Sequence, residues 1–263
     1  MNPDRSYALT AASRNRKKQP SSYRHRRYRQ LLDPAGLVSF EVKVRESDLH
    51  FLASEDRRRE ALHHLLQFRN QLENYIRTHP LFLTTLNPLP ADPLAPPLVK
   101  AMLAGAAAAG VGPMAAVAGA IAEFTGKALL AGGVKEVMVE NGGDIFLMRA
   151  KECLLSIFAG PSPLSNKVGV AISRERMPLG ICTSSGTVGH SLSLGKADSV
   201  TVLAPDTALA DAVATRLGNE VGSEADIEPA LSLARSIPGL LGAVIILGRQ
   251  MGAWGEIELV RLD

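Results

Sequence analysis

The 263 residues are 46% apolar and 21% charged, a balance that supports a packed core and excludes a disordered or fibrous chain. The net charge of +3 is unevenly spread: residues 1–30 hold nine Lys or Arg against one acid and the remainder twenty against twenty-five, so a basic arm of +8 precedes a body of −5. Only two cysteines occur, Cys153 and Cys182, in no paired spacing, which excludes a disulfide framework and a structural zinc site and points to a reducing, cytoplasmic setting.

Residues 1–28 are polar and basic and read as a solvated arm ahead of a single domain over 29–263. No apolar stretch follows the basic residues, so they do not form a secretory signal. Nucleic acid is not an expected partner, because nothing in the body carries a nucleic-acid-binding signature. Residues 38–44 alternate apolar and polar as a half-buried strand, and 49–53 form a second. Residues 57–78 repeat leucines at helical spacing; His63 and His64, on adjacent positions, cannot share a face of that helix. The Pro-rich stretch 80–97 reads as an irregular loop. Residues 101–122 carry no charge and are long enough to cross a bilayer. They are mostly Ala, however, with four Gly and Pro113 among them, so they are expected as two tightly packed helices, 97–109 and 113–131, and not as a membrane partner. Strands are then expected at 135–140, 145–149, 153–159, 168–173, 180–183 and 199–204. A helix at 207–217 is stopped by Gly218-Asn219, another spans 227–236, and strands at 242–247 and 253–260 close the chain. Strands cluster instead of alternating with helices, so the class is α+β with a largely antiparallel sheet.

Three segments carry candidate chemistry. In residues 208–215 Asp211 and Thr215 stand four apart on one helical face, offering a carboxylate and a hydroxyl, both hard oxygen ligands for Mg²⁺ or another divalent metal. Residues 182–191 place Thr183, Ser184, Ser185 and Gly186 directly after a strand, where hydroxyls and free N–H groups form a concave surface for an anion such as a pyrophosphate; His190 can donate to phosphate or act as acid or base. No GxSxG elbow surrounds Ser184 or Ser185, which disfavours a serine hydrolase. Residues Asn141, Gly142, Gly143 and Asp144 read first as a hairpin turn, one that also lets a ligand approach the backbone beside a carboxylate.

Taken in order, an alanine- and glycine-rich helix, a GGD turn (142–144), a TSG segment (183–186) and ADAVAT (210–215) resemble the ApbE superfamily, whose best-known members are FAD:protein FMN transferases. The resemblance is good over residues 100–220. It implies a T-fold-like α+β architecture, a Mg²⁺ ion held by Asp211 and Thr215, FAD as ligand or substrate, and the GGD and TSG turns lining the cleft. It also implies an acceptor protein that receives FMN on a Thr or Ser, or else cleavage of the FAD pyrophosphate; a non-catalytic flavin-binding or partner-binding module on the same scaffold is the alternative. Three departures from the family pattern stand out. The flavin-contacting Asp and the Lys of the family helix fall near Val117 and Glu123, a carboxylate that would repel pyrophosphate unless a metal or Lys127 compensates. A second acidic metal ligand is replaced by Ala214. Of the family's Tyr-His stretch only His190 remains.

Overall fold

A computed structural model describes residues 36–187 and 194–262. The basic arm and His190 lie outside these described residues. Eight strands form one sheet in the order β1 (Val38–Val44), β2 (Ser47–Ala53), β3 (Val137–Asn141), β4 (Asp144–Met148), β7 (Leu179–Ser184), β8 (Ser199–Ala204), β9 (Gly242–Leu247), β10 (Gln250–Gly255). Every neighbouring pair is antiparallel. A smaller sheet joins β11 (Glu258–Arg261), β6 (Val168–Ile172) and β5 (Cys153–Ser156).

Strand alternation sends one set of side chains to each face. Phe40, Phe51, Val137, Val139, Phe146, Val200 and Val202 meet the helices in the larger core. Met138, Leu147, Leu179, Ile181, Leu203 and Ile246 meet Leu155, Val170 and Ile172 of the small sheet in the second core. The result is three layers: helices, large sheet, small sheet.

The helical layer comprises α1 (Arg58–Thr78), α2 (Leu81–Thr84), α3 (Pro97–Ala109), α4 (Val117–Ala131), α5 (Thr207–Glu220) and α6 (Ile227–Ser236). The alanines and glycines of α3 and α4 serve close packing: a Cβ on Gly105 would meet the Ala208 carbonyl at 2.9 Å, and one on Gly126 would meet the Phe146 ring at 2.4 Å. Residues Pro113–Ala131 are, among the described residues, the one helical stretch long and apolar enough to cross a membrane, and half of that stretch is buried inside the fold.

The class and sheet type agree with the sequence expectation, and three local features differ from it. The expected loop 80–97 contains the short helix α2, because Phe82 is drawn fully into the core. Helix α5 runs through Gly218 to Glu220, since Gly218 keeps ordinary helical backbone. The tight approach there belongs to Gly195: a Cβ on it would lie 1.9 Å from the Gly218 carbonyl, whereas a Cβ on Gly218 would meet only Ser184 at 3.4 Å. The last expected strand is two, β10 and β11, split at Gly255, whose φ of +96° turns the chain from one sheet to the other.

Candidate functional site

The ends of β3, β4 and β7 place four polar side chains on the helix face: Asn141 opposite Asp144, Asp144 opposite Cys182, and Ser184 two residues further along β7. Gly142 and Gly143 form the two-residue hairpin between β3 and β4, with φ of +73° and +108°, the double positive φ of a type I′ turn that L side chains resist. The Gly143 N–H donates to Glu140 Oε1 at 2.8 Å and its carbonyl accepts from the Thr183 N–H at 3.2 Å, so the glycine turn and the start of the serine-rich turn are tied together.

Helix α5 lies along β7. Gly180 abuts Thr207 at the start of the helix, and Ser184 abuts Gly218 near its end. Between them Asp211, only 8% exposed, turns its Oδ2 to the Gly119 N–H at 2.8 Å. The Ala118 N–H donates to it as well. These are first-turn amides of α4, which have no partner within their own helix, and the positive end of that helix favours a carboxylate there. Asn141 completes the contact, its Nδ2 donating to the Ala118 carbonyl at 3.1 Å. Thr215, half-buried, lies one turn beyond Asp211 on the same face of α5.

Burial pushes the Asp211 carboxyl up to about 7, with the Gly119 and Ala118 amides holding it partly back. Asp144 is raised well above the usual carboxylate range, first by burial, then by the nearby charges of Asp211 and Glu140, while the neighbouring Cys182 side chain opposes the rise; the Cys182 thiol itself donates to the Thr207 carbonyl at 3.4 Å. Cys182 is fully buried, and burial and the two aspartates raise its thiol. Two carboxyl groups thus share a dry compartment where both cannot easily be ionised without a cation. Among the described residues no group of three or more His, Cys, Asp or Glu is arranged to hold a metal ion. A divalent ion here would draw on Asp211, the Thr215 hydroxyl, carbonyls and the oxygens of its own ligand, which suits a hard cation.

Glu123, 3% exposed, is engaged at both oxygens: Oε2 accepts the Thr207 N–H at 2.7 Å, and Oε1 pairs with Lys127. Ser184 is buried, and its hydroxyl has no hydrogen-bond partner among the described residues. The Ser185 and Thr187 hydroxyls approach to 3.2 Å, and the Gly186 N–H donates to the Ala197 carbonyl at 2.8 Å. The structure therefore brings Asn141, Asp144, Asp211 and the glycine turn together, with Ser184 at the other end of the same strip. Sequence reasoning did not anticipate the Cys182 thiol beside Asp144 or the Gly119 amide beneath Asp211. The first was available from strand parity, since Cys182 is two residues before Ser184. The second could be found only from the packing of α4 on α5.

The chain is 40% identical over 218 residues to a UPF0280 protein of Methanocella arvoryzae, covering 83% of this chain and 89% of that protein. It is 44% identical over 199 residues to a UPF0280 protein of Methanothrix thermoacetophila, covering 75% and 83%. The fold is similar to that of the flavinyl transferase ApbE of Pseudomonas stutzeri in its apo form, at a TM-score of 0.55 and 15% identity, covering 83% of this chain and 94% of that one. The family model described as "AbpE bacteria" matches residues 29–253. With a matched segment that contains the GGD turn, the TSSG turn and helix α5, the chain belongs to the bacterial AbpE family of ApbE-like proteins.

Proposed function

We propose that this chain binds FAD or a closely related flavin dinucleotide through a divalent metal, Mg²⁺ in the first instance, and transfers FMN from it to a hydroxyl of an acceptor protein. The observation that carries this reading is the placement of Asp211: a buried carboxylate fixed on the first turn of α4, beside a second buried carboxylate, with Thr215 one turn further on. A compartment that holds two acids above their usual range is stabilised by a cation, and the residues present fit a hard one. Asp211 and Thr215 would hold it; when bound, it would neutralise charge on the pyrophosphate.

In this reading the backbone of the turns at 142–144 and 183–186 lines the pyrophosphate. The acceptor oxygen attacks the FMN phosphorus, the phosphoanhydride bond breaks, AMP leaves with the electron pair, and His190 is assigned the hydroxyl proton. Water in place of the acceptor gives FMN and AMP by the same step. Two free thiols, one of them fully buried, support a cytoplasmic setting.

A non-catalytic flavin carrier is the second reading. It is favoured by Ala214, which supplies no second acid on α5, and by the pairing of Lys127 with Glu123, which withdraws a cation from any phosphate. Mg²⁺-dependent FAD binding, followed by chromatography for AMP and FMN, separates the two. Release supports transferase or pyrophosphatase chemistry, tight binding without release supports the carrier, and no flavin binding at any Mg²⁺ concentration sinks both. Asp211→Ala is expected to abolish the metal dependence with the fold retained.

A further inference from the structure

Helices α4 and α5 exchange carboxylates. Glu123 of α4 accepts the Thr207 N–H, the first amide of α5, and Asp211 of α5 accepts the Gly119 N–H in the first turn of α4. Each helix therefore gives a carboxylate from its N-terminal half to an amide at the start of the other. The two bonds run in opposite senses across one contact, and the contact is tight: a Cβ on Gly119 would lie 2.5 Å from the Thr207 carbonyl and 2.8 Å from Asp211 Cβ. There is no room for one bond to shift without the other. Asp206 caps α5 separately, accepting the Leu209 N–H at 2.9 Å, so Glu123 is not needed merely to start that helix.

We infer that Glu123 is a positioning residue that fixes where Asp211 stands, so that the metal-binding face of α5 is set from α4. The inference rests on the reading of Asp211 as a metal ligand only for its functional consequence; the latch itself is a matter of protein geometry. Glu123 is buried with Lys127 closing its outer oxygen, and Lys127 is half-exposed. The pair thus presents an ammonium at the surface and a carboxylate inside, which keeps the buried charge neutralised while the inner oxygen holds Thr207. Removing the carboxylate frees Thr207, and through the Gly119 contact it loosens Asp211.

The test uses the full chain, labelled for residue-resolved amide hydrogen exchange, as wild type, Glu123→Ala and Glu123→Gln. Gln retains a carbonyl acceptor for Thr207. Exchange at both Thr207 and Gly119 is expected to speed up in Glu123→Ala by about tenfold relative to Leu129 and Leu217 in the bodies of the same helices, with protection restored in Glu123→Gln. Glu123→Asp, one methylene shorter, carries the same expectation at both amides should the alanine variant fail to fold. An increase at Thr207 with Gly119 unchanged would overturn the inference, because Glu123 would then hold only its nearest helix. A Mg²⁺ titration by calorimetry gives the functional arm: Glu123→Ala is expected to weaken affinity by about tenfold, the scale of lost outer support at a metal ligand, and unchanged affinity overturns the positioning role. Wild type that takes up no Mg²⁺ would sink the proposed function while the exchange arm still decides the latch.

Discussion

The two faces of the large sheet differ most at the point where β3, β4 and β7 end. On the outer face Ile145 and Ile181 lie directly opposite each other and join the apolar core under the small sheet, with Glu140 opposite Ile145 on its other side. One residue along each strand, on the helix face, Asp144 lies opposite Cys182, with Asn141 and Ser184 nearby, all buried. Burying polar groups costs free energy unless they are hydrogen-bonded. The helix face meets that cost with the first-turn amides of α4, which need acceptors in any case. The buried aspartates therefore sit on the side where helix starts point at strand ends, while the other face combines its apolar backing with buried Glu140, His50, Ser199 and Thr201.

The sharpest way to break this contrast is to separate α4 from α5. In Gly119→Val, the added Cβ would enter a 2.5 Å approach to the Thr207 carbonyl, a backbone atom that cannot rotate away. The expected loss exceeds about 3 kcal/mol in urea unfolding, with Mg²⁺ binding lost in any folded fraction. The matched insult on the outer face is Leu147→Ala, at a fully buried site in the apolar core. It should cost about 2–3 kcal/mol through the cavity it leaves, with Mg²⁺ affinity unchanged. If the two variants affected metal binding equally, the division of labour between the faces would be wrong.

The same contrast explains what could be read in advance. Strand alternation in residues 38–44 and the run 199–204 reported their elements directly, because a period of two needs only local pattern. The hairpin at Gly142-Gly143 was legible for the same reason: two adjacent glycines between apolar runs have few other uses. Gly218 misled, because a glycine near a helix end is usually a stop, whereas here it keeps helical backbone and the helix runs on to Glu220. The split at Gly255 was hidden because the second half of the run joins a different sheet, a tertiary choice with no local signature. At the site, the spacing of Asp211 and Thr215 was visible as a helical pair. That Asp211 meets the amides of Ala118 and Gly119, more than ninety positions earlier, was not, since no periodicity encodes a contact between two helices.

The buried acids give the smallest and most specific test of the helix face. In the unfolded chain an aspartate loses its proton near its ordinary value of 3.8, whereas Asp211 in the fold holds it to about 7, and Asp144 is shifted the same way. Below about pH 4 both states are protonated and neither group favours one over the other. As pH rises from there through 7 the unfolded chain ionises while the fold retains its protons, so stability falls, by at most about 1.4 kcal/mol per pH unit for each proton retained. Above 7 Asp211 is ionised in both states and its share of the decline ends. Asp144→Asn removes one of the two buried charges while keeping the side chain's size. Without metal, its melting temperature should exceed that of wild type by a few degrees at pH 8 and match it at pH 3. Added Mg²⁺ should close the gap at pH 8 by stabilising wild type, because a cation that binds the ionised pair reverses the penalty for charging it. A gain of equal size at both pH values would mean that packing, and not charge, distinguishes the variant, and the carboxylate pair would lose its claim to be built for a cation.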